Sequence, residues 1–116
     1  MNIPQQAMRL RIYIGEDYRH GGRPLFEIIV EQARRQGLAG ATVLRGISGF
    51  GANSRIKTSK ILMLSEDLPL VVEIVDAQDK IERFLPYVDE VVGEGLVTME
   101  PVTVIFYRHS GAGGKP

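Results

Sequence analysis

"LPLVVEIVDAQDKIERFLPYVDEVV", residues 68–92, changes its period halfway along. From Leu68 to Asp76, aliphatic and β-branched residues run almost without interruption, the pattern of a strand inside a sheet. From Ile81 onward the apolar residues return at intervals of three and four: Ile81, Phe84, Leu85, Val88, Val91 and Val92. That spacing builds one continuous apolar face on a helix. Asp76 stands at the join, where a short carboxylate suits a helix N-cap. Pro86 lies inside the helical pattern and lacks an N–H, so a kink or a slipped turn is expected there. A strand followed by a helix is half of a larger unit, and the flanking sequence decides which one.

Downstream, "LVTMEPVTVIFY" (96–107) reads as a final strand pair or one long strand, with Pro101 arguing for an edge or a bulge. Upstream, "MRLRIYIGE" alternates Met8, Leu10, Ile12 and Ile14 against Arg9, Arg11 and Tyr13, the period of a strand with one buried face. After "DYRHGGR", Pro24 suits the first turn of a helix; Leu25, Ile28, Ile29, Gln32 and Ala33 follow at helical spacing until Gly37, which places the helix at 24–36. "ATVLRGIS" (41–48) is a β-branched strand in which Gly46 marks a bulge or a close backbone approach. The order is strand–helix–strand, loop, strand–helix–strand. It predicts an α+β fold, a ferredoxin-like βαββαβ sandwich whose four-stranded, mainly antiparallel sheet carries two helices on one face. The two halves share no residue motif.

A chain of 116 residues is the size of one domain. The expected division is an N-terminal extension at 1–7, the domain at 8–108 and a flexible glycine-rich tail, "HSGAGGKP", at 109–116. Fourteen Lys and Arg balance fourteen Asp and Glu, so no net field draws the chain to a phosphate backbone. The absence of cysteine removes disulfides, thiolate metal sites and cysteine nucleophiles together. The start has neither a cationic n-region nor an apolar h-region, and no apolar run approaches the roughly 18 residues of a membrane span. A cytoplasmic protein without membrane insertion is expected. "KILMLS" (60–65) puts four apolar residues in a row inside the central connection, and is expected to be ordered, within its own sheet or against another subunit.

"GLAGATVLRGISGFG" (37–51), "SEDLPLVVEIVD" (65–76) and "ERFLPYVDEVV" (82–92) resemble the signal-transducing PII-like superfamily, most closely its branch called domain of unknown function one-ninety. The resemblance spans Leu10 to Tyr107. It implies a cytoplasmic homotrimer with the sheets turned toward the three-fold axis, and a long loop, here 52–67, that contacts target proteins. It further implies an adenine nucleotide as effector in the cleft between neighbouring subunits, with no resident cofactor. Thr42 matches the position that contacts adenine, and Gly49, Phe50 and Gly51 open the effector loop. The family's phosphate-binding glycine–lysine loop is represented by "GEGL", with Gly93 and Gly95 but no lysine, and the loop lacks the tyrosine that some PII proteins nucleotidylate.

The residues themselves offer two anion sites. Arg45, Arg55, Lys57 and Lys60 surround the Gly49–Ser54 turn, whose backbone N–H groups form a candidate anion concavity, with Asn53 and Ser54 as neutral donors. Arg19, His20 and Arg23 flank two glycines before the first helix, a secondary anion site. No Walker pattern accompanies either. His20 and His109, the only histidines, stand apart from any metal-binding spacing, so no metal is expected. "RIYIGE" and "GFG" share features with RNA-recognition motifs, but no strand aromatics follow the second, and no nucleic-acid partner is expected. The resulting expectation is a non-enzymatic signalling module that binds a small effector and regulates a membrane transporter or a metabolic enzyme. Two alternatives stay open: a phosphate-ester or acyl-phosphate hydrolase using Arg19 or Arg23, and a purely structural trimer.

Overall fold

The computed structural model describes residues 2–50 and 68–110. Strand β1 (Gln6–Gly15) leads into a small hairpin of β2 (Arg19–His20) and β3 (Arg23–Pro24), then helix α1 (Leu25–Arg35) and strand β4 (Thr42–Arg45). Strand β5 (Pro69–Asp76), helix α2 (Gln78–Val91) and strand β6 (Leu96–Thr103) complete the order. The main sheet is β4-β5-β1-β6, and every neighbouring pair is antiparallel. This is the ferredoxin-like α+β sandwich that the periodicities predict.

The alternation in β1 sends Leu10, Ile12 and Ile14 to the helix side, where Leu70, Val72 and Ile74 of β5 meet them in register. Both helices cover that face: Leu25, Ile28, Ile29 and Ala33 from α1, and Ile81, Phe84, Val88 and Val91 from α2, form one core with the strands. Each Val, Leu, Ile or Phe among them, removed from water, contributes on the order of 1.5–3 kcal/mol. The opposite sheet face carries no helix. There Arg11 bonds its register partner Glu73 at 3.0 Å and Arg9 bonds its partner Glu100 at 2.6 Å.

Helix α1 ends where glycine was expected to end it. The Gly37 N–H donates to Arg34 O at 3.1 Å and the Leu38 N–H to Ala33 O at 3.1 Å, with Gly37 at φ 80° and Leu38 buried. This pair of bonds satisfies carbonyls that would otherwise be orphaned. Helix α2 runs through Pro86 as one element.

Several boundaries differ from the sequence reading. β1 begins at Gln6, inside the expected extension. Pro24 is the N-cap of α1 rather than part of its first turn, because the β2–β3 ladder holds it opposite Arg19. β4 stops at Arg45, three residues short of the expected end, although the Gly46 N–H still donates to Pro69 O. β6 is one strand and lies at the sheet edge, where Pro101 forfeits no shared bond, but it stops at Thr103; Ile105, Phe106 and Tyr107 follow outside it. The N-cap of α2 is Ala77, without a side-chain cap, and Asp76 turns inward instead. The expected order of Lys60–Ser65 and most of the expected tail lie outside the described residues.

Candidate functional site

The connection from α1 to β4, Leu38 to Ala41, lines a pocket of about 350 Å³ together with Val30, Ala33 and Arg34. Arg34 is the one charged residue among those lining it. Thr42 follows directly, exposed at the first position of β4. At the far end of that strand Arg45 donates to Glu16 at 2.9 Å, so one of the expected anion-site cations already has a carboxylate.

Beyond Arg45 the chain is pinned to the start of β5. The Gly46 N–H donates to Pro69 O at 2.7 Å, and a Cβ at Gly46 would lie 2.8 Å from Pro69 Cγ. Only a residue without a side chain fits that approach. Gly49 has φ 154°, and Phe50, 69% exposed, is the last described residue before Leu68. Gly51, Asn53, Ser54, Arg55 and Lys57, together with Lys60, fall outside the described residues.

Gly93 and Gly95 occupy the turn between α2 and β6. Gly93 has open space around it, whereas a Cβ at Gly95 would lie 2.7 Å from Tyr13 O and 3.1 Å from Ile14 Cγ2. Gly95 therefore has a packing reason independent of any ligand. The sheet order puts this turn and the β4 edge at opposite margins, with β5 and β1 between them. The registers Arg45↔Leu70 and Leu70↔Ile14 cross the sheet in one row, and Gly95 meets Ile14 at the end of it. With strands about 4.8 Å apart, roughly 14 Å separates the two margins. Arg45 and Gly95 thus share one end of the sheet but sit at its opposite margins within one chain.

The secondary anion site is built differently from its sequence reading. Arg23 holds Glu31 through two bonds, 2.9 and 2.7 Å, and lies 3.6 Å from Glu27. The bond to Glu31 and its charge raise the Arg23 pKa, and the same bond lowers that of Glu31. Arg19 reaches Gly22 O at 3.4 Å, and His20 is exposed on the hairpin. The three side chains sit on one hairpin, but its best-placed cation is committed to helix α1.

Residues that sequence reasoning missed are Pro69, Glu16 and Asp76. The signal for Asp76 was its parity: counting by twos from Leu70 places it on the buried face. Among the described residues no group of three His, Cys, Asp or Glu side chains could hold a metal ion, and no helix is long and apolar enough to cross a membrane.

This sheet order, with two helices on one face of a four-stranded antiparallel sheet, defines an α+β protein of the ferredoxin-like class. The chain belongs to the DUF190 family, described as an uncharacterised ACR, whose model matches residues 7–104. A UPF0166 protein of Aquifex aeolicus (strain VF5) is 43% identical over 99 residues, covering 84% of this chain and 91% of that one. A UPF0166 protein of Methanocaldococcus jannaschii is 36% identical over 93 residues, covering 79% and 85%. Among solved structures, the nitrogen regulatory PII-like protein CPII of Thiomonas intermedia K12, bound to ADP, AMP and bicarbonate, superposes with a TM-score of 0.60 at 18% identity, covering 85% of this chain and 88% of that one. The B. subtilis GlnK–ATP complex gives 0.56 at 14%, covering 86% and 84%. At these identities the two solved structures establish a shared fold.

Proposed function

We propose that the chain is a non-enzymatic PII-like regulatory subunit of the cytoplasm. It assembles as a homotrimer, binds a small effector between neighbouring subunits and acts on a partner protein through the 52–67 loop. The observation that carries this reading is the division of the site. Arg45 and Gly49 lie at one margin of the sheet and Gly95 at the other, at the same end, with Thr42 three residues back along the first margin. Two copies placed margin to margin would complete one cleft.

Self-association has separate support in the helix-free face of the sheet. Tyr13, Leu44 and Leu96 are 36%, 50% and 58% exposed there, beside the half-buried Val71 and Val75. Apolar residues gathered on one face mark an interaction surface. Arg9 Nε on the same face is buried without a hydrogen-bond partner among the described residues, a donor that an adjoining subunit could satisfy.

An adenine nucleotide is the first effector to test, since CPII and GlnK were solved with ADP and AMP or with ATP. An effector moves the loop only if it contacts two loop arrangements differently; the partner class proposed is a membrane transporter or a metabolic enzyme. The test joins solution mass to calorimetric titration with ATP, ADP, AMP and cyclic nucleotides. Three times the single-chain mass and one saturable nucleotide are expected. A single-chain mass sinks the cleft, and a silent panel at the trimer mass leaves the structural trimer. The hydrolase reading has lost ground because Arg23 is bound to Glu31; a phosphatase panel without turnover above buffer removes it.

A further inference from the structure

Asp76 is fully buried at the end of β5, on the face where Leu70, Val72 and Ile74 precede it. A valine there would continue the strand pattern and pack. A carboxylate in that position costs several kcal/mol unless its oxygens are met. Both are met by backbone: Oδ2 accepts the Ala39 N–H at 2.9 Å and Oδ1 accepts the Ala77 N–H at 2.7 Å. Among the described residues it makes no ion pair. The charge is therefore used to grip main chain, and the grip at Ala39 spans 37 residues of sequence.

What Asp76 grips is the irregular stretch between the end of α1 and Thr42. Its neighbour Gly40 has nothing within 4 Å of where a side chain would begin, so local packing does little to fix that residue. In the next peptide along the chain, the Tyr107 hydroxyl lies 3.4 Å from Ala39 O, a long contact that adds a second, weaker tether from the C-terminal segment. Ala39 is thus approached at its N–H and its C=O by side chains from two distant segments. The residues on either side of it, Leu38, Gly40 and Ala41, line the 350 Å³ pocket and lead into Thr42.

We propose that Asp76 is a positioning residue for the effector cleft: by holding Ala39 it fixes the Leu38–Ala41 wall, and with it the presentation of Thr42. This inference rests on the cleft reading above. Asparagine at 76 would keep one acceptor but turn its amide N–H toward a backbone donor, so the wall should loosen while the strand remains. A charge-assisted bond of this kind is worth about 1.5–3 kcal/mol, or roughly ten- to hundredfold in a local equilibrium.

The experiment compares wild type with Asp76→Asn by amide hydrogen exchange and nucleotide titration, with the thermal midpoint as the stability readout. In wild type the Ala39 amide should be protected like those of Val72 and Ile74. In the variant it should exchange at least about tenfold faster while the β5 amides keep their protection. The Kd for the nucleotide that wild type binds should rise by a similar factor. Unchanged Ala39 exchange overturns the proposal, and so does an unchanged Kd with Ala39 loosened. If wild type binds nothing in the panel, the cleft reading fails instead, and Ala39 exchange still decides whether Asp76 holds the wall. Should Asp76→Asn not fold, Asp76→Ser takes its place, with an oxygen near Ala77 but too short to reach Ala39. Wild-type protection at Ala39 no greater than at Gly40 overturns the proposal without any variant.

Discussion

At Gly95 a methyl group has no room. With φ 153° and a would-be Cβ 2.7 Å from Tyr13 O, the Gly95→Ala variant combines an unfavourable backbone with a backbone collision. It should lose roughly 1–3 kcal/mol in urea unfolding. Gly93→Ala, two residues earlier in open space, should stay within about 0.5 kcal/mol of wild type. Equal stabilities would mean that the Tyr13 contact does not persist in solution. The Arg23–Glu31 pair makes a second prediction at this scale. The Arg23 hydrogen bond is the main cause that lowers the Glu31 pKa, with the Arg23 and Arg35 charges acting the same way and partial burial opposing them. A depressed folded pKa means the contribution is fully present above the ordinary glutamate pKa and is lost as pH falls through the folded value. Thermal midpoints of wild type and Glu31→Gln should therefore differ near neutrality and converge in acid. Parallel curves would show that the pair contributes nothing, a common result for exposed ion pairs.

Helix α2 is fastened to the sheet chiefly through Phe84, fully buried between Ile81 and Val88 on the same face and in stacked contact with Tyr87 at 6.0 Å. Phe84→Ala should cost about 3–5 kcal/mol by urea unfolding, because the transfer term and the cavity add; a loss below 1 kcal/mol would mean that the helix is not seated as described. That helix was legible in sequence because its apolar spacing is local, as were the alternation in β1 and the stop at Gly37. The β2–β3 hairpin was not, since two strands of two residues each have no period to read. Nor was the end of β6: "VIFY" is as β-branched and aromatic as any strand, and whether it pairs depends on how far β1 extends beside it. The role of Asp76 escaped for a similar reason. An aspartate before a helix resembles a cap in sequence, and only the return of the α1–β4 connection reveals the other donor. Which of the candidate residues share a margin was not legible, because strand order decides it.

Across the whole molecule, the helix-free face and the divided site make one joint prediction. Leu44 on β4 and Leu96 on β6 both point to that face, opposite Val71 and Tyr13 respectively, and both are more than half or about half exposed in the single chain. Their replacement by aspartate, as the double variant Leu44→Asp and Leu96→Asp, removes no buried contact from the helix-side core. Far-ultraviolet circular dichroism should be unchanged, and stability should fall by only about 1 kcal/mol from lost strand propensity. Assembly is another matter: in the proposed homotrimer six carboxylates would be gathered on the facing surfaces, and desolvating unpaired charge is costly. The solution mass should drop to that of one chain. If the effector cleft is divided between subunits as proposed, nucleotide binding should disappear with the assembly. If mass drops and binding survives, the effector is held by one subunit and the divided site is incorrect; if the mass does not change, the subunits meet through some other surface.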